Sequence, residues 1–475
     1  MDSNEIENKP KIQVSLGWRL FGFLSKIDTQ VISLIILILL SVQVLYGIID
    51  RTPTQADLIA FYYGKTILIR FLGYLGIVVG LIDIYCRAFI HKLNALKWTL
   101  LKRPWNGLFS ILMIWAIFAI GVAVDRNLAV FGSPYRYEGY LSYLAYAGIF
   151  ICATLIKSDK YRKILYITVT ASSTLLAILT MIKEMAGVSG LMFRNGQVYA
   201  YSATFINSNH YGYYLCVSMA VIVGLFMMVE KLHWKIVCGV CFAINLIVMI
   251  FNESLGPYLA IAVGLVLFFV FNWIRKGFKK TWPILILVVI FIVFSLLLNG
   301  HKMLNDIGLV ANQTGNVIDV IGSGGSDTPE GQEVIDSIGS RRGVLWKNTI
   351  QVIKDHPVIG VGTDNIQLYI NQIPHNEYLQ VAANLGIPGI LLYLAALICC
   401  FVYAIKNLKK ISDGTFIAFM AALVYCASAF VGISIPVATF QLFFFLGLLA
   451  GWFKTRDDER MNNTLLEGLT SVKAS

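Results

Sequence analysis

Charge is scarce in this sequence. Asp, Glu, Lys and Arg make up 14% of the 475 residues, where a soluble domain carries about 25%. Strictly alternating polar and apolar stretches are missing too, which argues against a membrane β-barrel. What replaces them is continuous apolar sequence. The chain is 57% hydrophobic, with a mean hydropathy of +0.71. Runs of about 18 or more apolar residues recur along its length, as a chain of membrane-spanning helices requires. The first run begins near Val31, is of full span length and lacks a small-residue cleavage site, so no cleaved leader is expected.

Metal and redox signatures are equally sparse. There is no HExxH segment, no Cys/His cluster and no outward Asp-rich pair, so no metal site and no cofactor are expected. Cys238 and Cys241 have CxxC spacing, but they sit inside an apolar run with no second ligand pair, where cysteine packs as a small hydrophobe. Gly360-Val-Gly362 lacks the Lys-Ser/Thr and the strand of a nucleotide loop and reads as a turn. No internal repeat is visible.

The apolar runs number about twelve, each near the length a bilayer needs. The loops between them alternate in charge. Arg87, Lys92, Lys97, Lys102 and Arg103 follow the second run, Lys157, Lys160, Arg162 and Lys163 the fourth, and Arg275, Lys276, Lys279 and Lys280 the eighth. Every second loop is basic, the signature of cytoplasmic loops. The formal net charge of +11 is therefore a topology signal, and no nucleic-acid partner is expected. The fold class that follows is an all-α polytopic membrane protein of about twelve transmembrane helices with one long outward-facing loop. Residues 1–30 form a cytoplasmic N-terminus, 31–299 the first nine spans, 300–384 the outer loop, 385–453 the last three spans and 454–475 a cytoplasmic tail.

The outer loop is net acidic, with nine acidic residues and five Lys or Arg. Its Gly/Ser/Asp-rich stretch from Gln313 reads as irregular and mobile. "SRRGVLWKNTIQVIKDHP" reads as a helix capped by Ser340 and closed by Pro357, with Val344, Leu345, Trp346, Ile350 and Ile353 on its apolar side. Then comes "PHNEYLQVAANLGIPG". Pro374 suits a first helical turn, placing His375, Asn376 and Glu377 within it, and the helix should end near Gly386 with Pro388 after it.

Outward loops should be poor in arginine, yet they carry Arg126, Arg136, Arg194, Arg341 and Arg342. Arginine keeps its charge and binds phosphate through a planar fork. Arg136 lies among tyrosines that suit either an interfacial belt or sugar stacking. Asn207, Asn209 and His210 lead directly into an apolar run, where an asparagine can cap the helix or meet a ligand. His375 sits on the outer face beside these arginines, where an imidazole can take a proton from a hydroxyl. His91, His233, His301 and His356 lack such company.

These residues resemble the O-antigen ligase and polymerase superfamily of bacterial envelope glycosyltransferases. "RGVLWKNTIQVIKDHPVIGVG" is similar to the family's Arg-x-x-x-Trp segment and glycine turn. "HNEYLQVAANLGIPGILLYL" is similar to its His-Asn-x-Tyr-Leu-Gln element, and "FINSNHYGYYL" and "FGSPYRYEGYL" to two further elements, all in the family's order. Ser208 stands where the family usually has proline, and Leu255 where a Ser-Arg-Gly element has its arginine. The resemblance implies a transferase at the outer side of the cytoplasmic membrane, independent of metal and nucleotide. The donor would be a glycan on undecaprenyl diphosphate, and the acceptor a glycan or lipid-anchored hydroxyl. His375 would be the base, Arg136, Arg194, Arg341 and Arg342 would bind pyrophosphate, and Asn376, Glu377, Asn207, Asn209 and His210 would orient substrate. Two other classes compete. A lipid-linked glycan flippase would place charge near the bilayer midplane, and these spans look nearly free of charge. A non-catalytic scaffold of the envelope glycan machinery would not depend on His375.

Overall fold

The computed structural model describes residues 16–48, 55–91, 103–134, 136–186, 201–205, 207–322, 328 and 342–454. The described chain is helical. In order it runs α1 (Leu16–Leu24), α2 (Thr29–Val42), α3 (Gln55–His91), α4 (Pro104–Val122), α5 (Arg126–Phe131), α6 (Tyr140–Thr154), α7 (Asp159–Ala186) and α8 (Ser208–Met228). Then follow α9 (Leu232–Phe251), α10 (Leu255–Lys276), α11 (Ile284–Gly322), α12 (Arg342–Asp355), α13 (Gln367–Ile370), α14 (Glu377–Lys406) and α15 (Asp413–Ser428). The last helix, α16, spans Pro436–Lys454.

Among the described residues, nine helices are long and apolar enough to cross a membrane. The bent pair α1 and α2, at 53°, would make ten, and Tyr140–Thr154 and Ile284–Leu298 are shorter apolar segments. The chain is an all-α, multi-pass membrane protein. Each apolar run of the sequence is a helix because a bilayer leaves the backbone no partner but itself.

Small residues set the packing. α3 lies along α6 on a seam of Gly73 and Gly76 against Ala145 and Gly148. A Cβ on Gly148 would stand 1.9 Å from the Gly73 carbonyl oxygen, so only glycine permits this approach. Among the described spans α8 and α16 are the most enclosed, with α7, α9, α10 and α15 around α8.

The two ends of the bundle differ. At one end basic residues are held by ion pairs and caps. Arg162 donates to Asp159 and to the Ile156 carbonyl, Arg275 pairs with Asp413 at 2.7 Å, and Asp28 caps α2. At the other end lie the starts of α6, α8, α10, α14 and α16, joined by bonds such as Tyr213 to the Ser428 carbonyl and Asn252 to the Tyr201 carbonyl. His375 belongs to this second end.

Three expectations change. α11 continues to Gly322, so the stretch from Gln313 to Gly322 is helical where an irregular loop was expected. The helix of Arg342 to Asp355 forms, but Ile350 is exposed and Val352 is buried, so its inner face is turned from the one read in the sequence. The spans are also less free of charge than expected, since Lys65 and Arg70 lie buried within α3. Ser340, the expected cap, lies outside the described residues.

Candidate active site

The site grows from the turn that precedes α14. Asn376 is the N-cap, and its side-chain oxygen accepts from the Leu379 N–H at 3.0 Å. The helix therefore begins at Glu377, and His375 stands just outside it with φ of 48°. The sequence placed His375 inside the first turn; the cap moves the boundary to Glu377, and His375 takes a left-handed conformation uncommon for a side-chain-bearing residue. At its far end this segment breaks as expected. Gly386, with φ of 72°, interrupts α14 two residues before Pro388. A Cβ there would lie 2.2 Å from the Val358 carbonyl oxygen. The break opens the backbone to Pro357–Gly362: Val361 and Gly362 donate to Ala383 and Asn384, and Ile387 donates to Pro357. Gly360-Val-Gly362 is thus the turn that docks α12 against α14.

α12 delivers its functional face to His375. Trp346 donates its indole N–H to the Pro374 carbonyl at 2.7 Å. Arg342 lies four residues earlier on the same face of the helix. The spacing of Arg-x-x-x-Trp is what lets one residue clamp the turn while the other faces it.

The third strand of the site is the loop before α6. Arg70, from within α3, donates to the carbonyls of Phe131 and Tyr137 and to the Ser142 hydroxyl, at 2.7, 2.8 and 3.0 Å. Lys65 similarly holds Thr204 through its carbonyl and hydroxyl. Both buried cations anchor segments at the end of the bundle that bears His375, which is not the midplane relay a transporter would show. The loop carries Arg136, which pairs with Asp364 at 2.9 Å and donates to the Ser133 hydroxyl. Asp364 also accepts from the Ser133 N–H at 2.5 Å. Asp364 is 1% exposed and Arg136 14%, so the pair ties the segment after α12 to the loop before α6.

The electrostatics join these pieces. Burial lowers the His375 pKa below its ordinary value, and the cations Arg342 and Arg136 lower it further. Burial also lowers the Arg342 pKa, though a guanidinium keeps its proton at any physiological pH. His210, in the first turn of α8, is buried within electrostatic reach of His375 and Arg136. The structure thus brings His375, Arg342, Arg136 and His210 into one neighbourhood, where burial and the two guanidiniums disfavour the charged form of the His375 imidazole.

The other expected residues serve differently. Asn207 caps α8 by accepting from the Asn209 N–H at 2.9 Å. Asn376 also caps. Glu377 is buried, and its oxygens accept from the hydroxyls of Tyr393 and Tyr425, both at 2.7 Å. It fastens the start of α14 to α15. Arg194 and Arg341 lie outside the described residues.

Sequence reasoning missed Asp364, Glu138 and Arg70. Glu138 is fully buried, accepting from Tyr146 at 2.7 Å and from the Ser434 hydroxyl. Burial pushes its pKa up to about 8, with Asp364 and Glu377 adding to the rise and the hydroxyls of Ser434 and Tyr146 opposing it. Ser434 contacts Thr439, Thr439 contacts Tyr425, and Tyr425 reaches Glu377. Two buried carboxyls are therefore linked through hydroxyls beneath the site.

Fold and site together define a multi-pass helical membrane protein with a cationic, histidine-bearing cluster at one end of its bundle. Residues 240–394 match the family model described as O-antigen ligase. The match spans about a third of the chain and supports a relation to the O-antigen ligase superfamily. It contains Leu255, Arg342, Trp346, His375 and Gly386, while Arg136 and His210 fall before it. No curated protein matches the chain.

Proposed function

We propose that the protein transfers a glycan from an undecaprenyl-diphosphate carrier to an acceptor hydroxyl at the outer side of the cytoplasmic membrane, as an O-antigen ligase or a polymerase of glycan repeat units. The carrying observation is the placement of His375 beside Arg342 and Arg136. A histidine whose charged form is disfavoured is neutral near pH 7 and can accept a proton.

In this reading the acceptor hydroxyl gives its proton to the His375 imidazole. The acceptor oxygen bonds to the anomeric carbon as the bond from that carbon to the diphosphate oxygen breaks. The electron pair leaves with the diphosphate, whose growing charge Arg342 and Arg136 offset. Attack opposite the leaving group inverts the anomeric carbon. The imidazolium then returns its proton to solvent or to the released diphosphate. Arg194 and Arg341 would add to the same charge balance, and Asn209 and His210 would meet sugar. The orientation, with basic loops and both termini in the cytoplasm, rests on the alternation of loop charge.

The test compares lipid-linked and surface glycans in cells carrying the wild-type chain or His375→Ala at matched expression. Accumulated single lipid-linked units with no long chains mark a polymerase. Long chains held on lipid mark a ligase. Unchanged pools would overturn the role of His375.

A further inference from the structure

The hydroxyls beneath the site do more than link two carboxyls: they form one unbroken line of seven side chains. Tyr146 of α6 meets Glu138, Glu138 meets Ser434, and Ser434 meets Thr439 of α16 at 3.2 Å. Thr439 meets Tyr425 of α15 at 3.0 Å, Tyr425 meets Glu377, and Glu377 meets Tyr393 of α14. All seven are buried. Each link needs one hydrogen between its two oxygens. The line has six links, but its five hydroxyls supply only five hydrogens. With both carboxyls ionised, one link is left as two bare oxygens facing each other away from water. With both protonated there is one hydrogen too many, and a buried donor goes without an acceptor. A single carboxyl proton fills every link.

That proton has two homes. On Glu138 it points at Ser434, and Ser434, Thr439 and Tyr425 each donate onward to a carboxylate at Glu377. On Glu377 it points at Tyr425, and the three hydroxyls reverse. Thr439 enforces the common direction. Its oxygen accepts from the Ile435 N–H at 2.9 Å, so it can accept from one hydroxyl neighbour and must donate to the other. The surrounding charge agrees with one carboxylate. Arg70 of α3 and Asp364 act on Glu138, and Asp364 is already paired with Arg136. Tyr143, Tyr213, Tyr378 and Cys426 stand near Glu377 and are uncharged near pH 7. One guanidinium balances one carboxylate, and a second negative charge in the same dry setting would repel the first.

We infer that Glu138 and Glu377 share one proton, passed between them along Ser434, Thr439 and Tyr425, and that this proton locks the loop bearing Arg136 to the turn bearing His375. The transfer is balanced. Glu138 gives its hydrogen to Ser434, Ser434 its own to Thr439, Thr439 to Tyr425 and Tyr425 to Glu377, while the negative charge moves the opposite way. Glu138 lies two residues after Arg136, and Glu377 two residues after His375. Both carboxyls are thus positioning residues, and their bearing on catalysis rests on the function proposed above. Loss of the shared proton opens one link of the line and loosens the two segments from each other.

Infrared spectroscopy of the full chain in detergent near neutral pH tests this, with ¹³C-glutamate labelling to mark glutamate bands. The wild type should show the C=O stretch of a protonated glutamate. Glu138→Gln and Glu377→Gln should each lose it, because the new amide supplies the missing hydrogen and leaves the other carboxyl ionised. Each single variant should unfold near the wild-type temperature. The double variant holds one hydrogen too many and should unfold at least about 2 °C below either single one. A wild type without the band overturns the proposal. So does a band that survives in Glu377→Gln, which would mean a proton fixed on Glu138, or one that survives in Glu138→Gln. A double variant as stable as the single ones, or a single variant that cannot fold, overturns the hydrogen count. None of these readouts involves glycan transfer, so failure here leaves the reaction proposed above standing.

Discussion

The indole of Trp346 reaches the carbonyl of Pro374 across 2.7 Å. That bond joins the helix bearing Arg342 to the turn bearing His375. Its loss should therefore act on geometry more than on folding. Trp346→Phe keeps the ring and removes the donor, a change of about 1 kcal/mol in stability. The expected result is a well-expressed protein with glycan transfer reduced at least about tenfold, because small displacements of reacting groups are costly. Transfer at the wild-type rate in that variant would show that the clamp is unnecessary.

The electrostatic setting of His375 predicts a particular pH profile. Its pKa is depressed by burial and by Arg342 and Arg136. A base of this kind is lost by protonation, so activity should fall on acidification with a limb below the ordinary histidine value of about 6.5. Arg342→Gln removes one cation, so the limb should move to higher pH while the plateau drops about a hundredfold. A limb that stays in place would separate Arg342 from the histidine.

Asp364→Asn tests the pair that ties the segment after α12 to the loop before α6. The substitution leaves Arg136 without its carboxylate in a nearly closed setting. Breaking one side of such a pair typically costs about 3–5 kcal/mol. Thermal unfolding in detergent should show the loss, and Arg136→Gln added to Asp364→Asn should recover part of it. Additive losses in the double variant would mean that the two side chains do not depend on each other.

Glu138 gives a stability prediction with a definite sign. Its pKa rises from 4.5 to about 8 on folding, chiefly through burial. Across that window the folded chain holds a proton that the unfolded chain has lost, so stability falls as pH rises. Glu138→Gln removes the titration and should flatten the unfolding temperature between about pH 5 and about pH 8. A wild-type profile already flat there would contradict a protonated Glu138.

The parts legible in the sequence are those with short-range causes. Apolar runs become helices because the bilayer demands it, and Gly386 followed by Pro388 ends the first segment of α14 as expected. The tryptophan four residues after Arg342 also marks a shared helix face. What stayed hidden depends on distance along the chain. Glu138 meets Ser434 across 296 positions, and Arg136 meets Asp364 across 228. No local pattern says that two such residues will be neighbours. Arg70 reads as a stray charge in an apolar run until the loop at Phe131 to Ser142 folds over it. The left-handed turn at His375 has no glycine to announce it.

The pairing of Arg136 with Asp364 bears on turnover. Two unmatched guanidiniums would clasp a departing diphosphate and leave it as a stubborn inhibitor of the next cycle. An arginine that keeps its own carboxylate has somewhere to return. In the proposed reaction it would lend its charge while the leaving group forms and withdraw it afterwards, so the same bond that braces these two segments would also limit how firmly product is kept.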